Sequence, residues 1–95
     1  MMKIFKVEGD SMYPFAQGGD WIIAFRPHVL AIGDLVVFYY EGVGMLLKQI
    51  TRIEGKGVFV EGKDAMSLDS RVFGLIDASK IDYKVWKVLK LHVKR

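Results

Sequence analysis

Leu35-Val36-Val37-Phe38-Tyr39-Tyr40, Glu41-Gly42-Val43-Gly44 and Met45-Leu46-Leu47-Lys48-Gln49-Ile50-Thr51-Arg52-Ile53 decide how this chain folds. The first block is an unbroken apolar run of β-branched and aromatic residues, the composition of a strand. The second is short and glycine-rich and reads as a hairpin loop. The third alternates. Leu46, Lys48, Ile50 and Arg52 would share one face, and Met45, Leu47, Gln49, Thr51 and Ile53 the other. The three blocks predict an antiparallel hairpin in which Lys48 stands between Leu46 and Ile50 on a locally apolar face.

Upstream, Ile32-Gly33-Asp34 reads as a turn into this hairpin. Trp21-Ile22-Ile23-Ala24-Phe25 is expected to be a buried strand, ended by Arg26-Pro27-His28 because proline cannot donate to a ladder. Gly18-Gly19-Asp20 marks a tight turn before it. Residues 4–7 form a strand-like lead into Val7-Glu8-Gly9-Asp10-Ser11-Met12-Tyr13-Pro14. There the turn-prone pair Gly9-Asp10 precedes Ser11, and Pro14 stiffens the exit. Downstream, Gly55-Lys56-Gly57 turns the chain into a strand at 58–61, residues 62–71 have loop composition, and β character resumes over 72–76. Residues 81–93 fit a helix by the spacing of their lysines. Val85-Trp86-Lys87-Val88-Leu89 suits a strand equally well, and strand is the preferred reading. Short strands separated by regular turn signals predict one all-β domain, mainly antiparallel, over residues 1–95.

With 95 residues, 52% apolar and 26% charged, the chain has room for a single modest core. The absence of cysteine excludes disulfides, thiol nucleophiles and cysteine-ligated zinc. His28 and His92 are too few and too separated to suggest a metal cluster, and no cofactor is expected. The longest apolar run falls far short of the roughly 20 residues that cross a bilayer. Residues 1–6 lack the apolar core of a signal peptide. As given, the chain therefore reads as soluble and without a membrane anchor, with a cytoplasmic location favoured should it be complete. Net charge is +3, with Lys80, Lys84, Lys87, Lys90, Lys94 and Arg95 crowding the end. Such a tail is either a solvated face or a patch for an acidic surface. No helix-turn-helix, zinc-finger or RNA-binding pattern accompanies it, so no nucleic-acid partner is expected.

A serine hydroxyl held on a bend becomes a nucleophile only if a base takes its proton. Lys48 is the candidate base. An ammonium cannot serve, so the pKa of this lysine would have to drop from about 10.4 toward neutrality, which amounts to about 4 kcal/mol of differential solvation. Burial beside Leu46 and Ile50 is the kind of setting that does this. Taken singly, each feature has a plain structural reading as well: Gly9-Asp10-Ser11 as an ordinary turn, and Lys48 as a side chain reaching water from a sheet edge.

Four stretches together go further. Residues 7–14 resemble the serine box of type I signal peptidases and of LexA-type autoproteases. Gly33-Asp34-Leu35-Val36-Val37-Phe38 resembles the strand that follows in that superfamily, and Leu46-Leu47-Lys48-Gln49-Ile50 the strand bearing its general-base lysine. Ser67-Leu68-Asp69-Ser70-Arg71-Val72-Phe73-Gly74 is similar to a further signal peptidase box. The resemblance implies a LexA/signal peptidase-like catalytic β domain with Ser11 as nucleophile and Lys48 as general base. It also implies that Ser67 orients the amine, that Asp69 and Arg71 pair beside the site, and that the Ser11 N–H donates to the oxyanion. Gly9, Asp10, Met12, Leu46 and Leu47 would contact the substrate. The chain departs from the resembled pattern at Gly9, where some relatives carry a second oxyanion donor, and at Phe15, Gln49, Lys56 and Lys63. Phe15 is expected to narrow or reshape the cleft.

The expectation is a Ser/Lys endopeptidase that cleaves an extended presequence-type peptide in a peptide or protein substrate. The alternative is a non-catalytic β-fold module that binds a peptide or partner. Association through the basic tail is a third reading.

Overall fold

The computed structural model describes residues 1–9, 12, 15–63 and 74–90. One seven-stranded sheet organises them, in the order β1-β2-β7-β3-β4-β5-β6. The strands are β1 Met2–Lys6, β2 Trp21–Phe25, β3 Leu35–Tyr40, β4 Gly44–Glu54, β5 Gly57–Glu61, β6 Ile76–Asp77 and β7 Tyr83–Leu89. Every pairing is antiparallel, so the all-β expectation holds. Among the described residues, a 3-10 turn, Ala78–Lys80, interrupts the strands and is capped by the Asp77 carboxylate, which accepts from the Ser79 N–H at 2.9 Å.

The central hairpin follows the sequence closely. Val36 faces Lys48 and Phe38 faces Leu46 across β3 and β4, and Val43 N–H closes the turn onto the Tyr40 carbonyl at 3.0 Å. Alternation on β3 separates two cores. Val36 and Phe38 point into one with Ile50, Val58, Val60 and Ile81. Val37 points into the other with Val7, Met12, Ala16 and Ile22. Both faces of the middle of the sheet are thus covered, which is why β3 reads as a continuous apolar run rather than an alternating one.

Three expectations need correction. Arg52 does not share a face with Lys48. Ile50 pairs with Val60 but Arg52 with Phe59, so Thr51 is an extra residue bulged out of the ladder. The bulge switches faces, and Arg52 ends up exposed with its guanidinium 4.7 Å from the Phe59 ring centroid. Trp21–Phe25 is only half buried: Ile22 and Ala24 point inward while Trp21 and Phe25 face outward. Of residues 72–76, Val72 and Phe73 lie outside the described residues, and of 74–76 only Ile76 is strand. Gly74 has φ 73°, a conformation that leaves the ladder. The preferred strand in the tail is present as β7, held on both sides by β2 and β3.

Candidate active site

Lys48 is 3% exposed. Its position follows from how β4 is held. Gly33 takes φ 98°, and the turn it makes fastens to β4 twice, with Gly33 N–H donating to the Ile50 carbonyl at 2.8 Å and Ile50 N–H to the Asp34 carbonyl at 2.9 Å. The Gln49 amide adds a bond to the Gly33 carbonyl at 3.2 Å. These contacts fix the strand one and two residues beyond Lys48. The register then sets the lysine opposite Val36, on the face of the Val36–Phe38–Ile50 core.

A cleft of about 330 Å³ runs beside it. One wall is Lys6, Val7, Glu8 and Gly9, at and past the end of β1; the other is Met45, Leu46, Leu47 and Lys48 of β4. Phe5, Met12, Ile22 and Val37 line it between them. Among the described strands, β1 pairs only with β2, and β5 pairs with β4 no nearer the hairpin turn than Gln49. Two strand edges without a neighbour therefore face each other across the cleft, and because it follows an edge, both faces of β4 contribute to it.

Gly9, Met12, Leu46, Leu47 and Lys48, singled out from sequence, converge here. Asp10, Ser11, Ser67, Asp69 and Arg71 lie outside the described residues. The flanks of their segments are described. Met12 is fully buried, and its carbonyl accepts from the N–H groups of Phe15 at 2.8 Å and Ala16 at 3.1 Å. At Gly9, φ is 78° and nothing stands within 4 Å of where a Cβ would be, so backbone conformation rather than crowding favours glycine there.

Among the described residues, Phe15 is not part of the cleft lining. It is exposed and carries the Lys63 ammonium 5.1 Å from its ring centroid. The contact joins the residues after the serine stretch to the residue that leads into segment 64–73. It also brings together two positions at which the chain departs from the resembled pattern. The lysine-rich tail is not a uniform solvated band either. Lys84 Nζ lies 3.3 Å from Asp34 Oδ2, and Lys90 Nζ lies 2.7 Å from Asp20 Oδ2.

Sequence reasoning missed Phe5, Lys6, Val7, Glu8, Ile22, Val37 and Met45 as cleft residues. For those on strands the only sequence signal is alternation, which marks a face but not a cavity, while Val7 and Glu8 are marked only by their place in the serine stretch. No group of three or more His, Asp or Glu side chains among the described residues is placed to hold a metal ion. No helix among them is long and apolar enough to cross a membrane.

Fold and site thus define a class: an all-β domain with a cleft between two strand edges and a buried lysine on one wall. The chain belongs to the family described as Domain of unknown function (DUF7205), whose model matches residues 25–90. The matched span takes in Lys48 and residues 67–71 and begins downstream of Ser11. No curated protein matches the chain.

Proposed function

We propose that the protein is a serine endopeptidase of the Ser/Lys type, with a LexA/signal peptidase-like fold, acting on an extended presequence-type segment. The observation that carries this reading is Lys48: a lysine 3% exposed on the wall of a cleft that also takes in Gly9 and Met12, on either side of Ser11. Removal from water disfavours the ammonium form of an amine, and the amine form is the one that accepts a proton.

The facing edges at 6–9 and 45–48 suit a substrate that enters as an extra strand and bonds through its main chain on both sides. The Ser11 Oγ attacks the scissile carbonyl while its proton passes to Lys48 Nζ, and the tetrahedral oxyanion takes a hydrogen bond from the Ser11 N–H. Collapse breaks the C–N bond, and Lys48 gives the proton to the leaving amine. Lys48 then takes a proton from water as the water oxygen bonds to the acyl carbon; the C–Oγ bond breaks, Lys48 returns the proton to Ser11 Oγ, and the peptide leaves as a carboxylic acid. Ser67 would orient the amine, and Asp69 with Arg71 would brace the loop.

Incubation with a library of extended peptides, followed by mass spectrometry, tests the reading. The expected result is cleavage by the native chain, and peptide binding without cleavage by Ser11→Ala. Equal cleavage by both removes Ser11 from the mechanism. A native chain that binds but never cuts leaves a peptide-binding module instead.

A further inference from the structure

Asp20 is 0% exposed, although the Gly-Gly-Asp turn that contains it would ordinarily be wet. A carboxylate taken out of water needs partners. Its Oδ2 accepts from the Gln17 N–H at 2.9 Å and from Lys90 Nζ at 2.7 Å. Lys90 follows β7 directly, and the β2–β7 register, with Trp21 opposite Leu89, brings it beside Asp20. The lysine side chain remains 48% exposed, so the cation reaches in from the surface to a buried anion.

The backbone of the same residue holds the cleft. Val7 N–H donates to the Asp20 carbonyl at 2.8 Å, and Gly19 N–H donates to the Val7 carbonyl at 3.0 Å. These bonds extend the β1–β2 ladder one step past Lys6 and hold Val7 on the cleft wall, at the root of the stretch that carries Ser11. Asp20 N–H also donates to the Gln17 carbonyl at 3.0 Å, so backbone and side chain of Asp20 close the 17–20 turn together.

We infer that Lys90 is a positioning residue for the cleft: by fastening the buried Asp20 carboxylate to the end of β7, it fixes the wall at Val7–Gly9 against which a substrate strand would align. The substrate half of this statement rests on the Ser/Lys endopeptidase reading; the clamp does not. Loss of the cation leaves an anion short of a partner inside the protein, and the 17–20 turn opens to hydrate it.

Amide hydrogen exchange on the full chain tests the clamp without reference to catalysis. In Lys90→Gln, exchange at Val7 and Gly19 accelerates roughly tenfold or more, while Val36, Ile50 and Val60 stay within about threefold of the native rates. Lys90→Arg restores protection, and Asp20→Asn gives the same local pattern as Lys90→Gln. In cleavage assays Lys90→Gln raises KM about tenfold with kcat little changed, the signature of a displaced binding wall. Uniform acceleration across the sheet, or none at Val7 and Gly19, overturns the clamp. A local exchange change in a chain that cuts no peptide retires the endopeptidase reading and leaves the clamp standing.

Discussion

Replacing Lys48 with methionine separates a chemical role for its amine from a structural one. Methionine keeps an unbranched side chain of similar volume and removes only the charged end. A volume-conserving swap at a buried site costs less than about 1.5 kcal/mol. The hydrogen bonding lost with the amine adds about 0.5–1.5 kcal/mol. The total, about 3 kcal/mol, lowers Tm by roughly 12–24 °C in a domain of this size. Against an ordinary stability of about 5–15 kcal/mol it still leaves roughly 95% or more of the chain folded at room temperature. Loss of folded protein therefore accounts for only a few per cent of any fall in rate. Loss of a general base accounts for about 10²–10⁴-fold. The assay pairs peptide cleavage followed by mass spectrometry with thermal unfolding of the same sample. The expected outcome is a folded Lys48→Met variant whose kcat/KM is down by about a thousandfold. A folded variant within about threefold of the native rate refutes the assignment, because partial unfolding only lowers a rate and cannot make up for a lost base.

The Phe15–Lys63 contact should appear in a double-mutant cycle of Phe15→Leu and Lys63→Met as a coupling of about 0.5–1 kcal/mol in chemical denaturation; strict additivity would mean that the two segments are not joined there. At the 3-10 turn, the backbone N–H of Ser79, with help from its hydroxyl and from the charges of Lys56 and Lys80, holds the Asp77 carboxyl below the usual carboxylate range. A carboxyl depressed on folding stabilises the fold above its unfolded pKa and loses that contribution as pH falls through its folded value. Asp77→Asn should accordingly melt below the native chain at neutral pH, with the gap closing on acidification. A gap that widens in acid would contradict the cap.

Most of the sheet could be read from the sequence because its signals are local. β3 declares itself by composition. The first half of β4 declares itself by alternation, and that alternation correctly placed Lys48 among aliphatic residues. Where one partner determines the fate of another, the sequence is silent. Arg52 sits on the expected face in any regular strand, and only the two-against-one pairing at Thr51 moves it. Asp20 looks like a turn residue until Lys90, 70 positions away, is found against its carboxylate. Phe15 follows the serine stretch in sequence, and nothing local to it announces that its ring carries Lys63. Of the candidate site, the β4 half was legible as a face, and the cavity itself emerged only when the sheet brought residues 5–9 against residues 45–48.

The extra residue at Thr51 also sets how far a change in chain length can travel. Upstream of it, β4 is held by β3 and by the turn at Gly33 as well as by β5; downstream it pairs with β5 alone. An insertion or deletion at the Gly55-Lys56 turn would be absorbed as slippage of β5 along β4, whose own place is held up to residue 50 by β3 and the Gly33 turn. The amine two residues earlier would keep its orientation, so this domain can vary its far tip without disturbing its lysine.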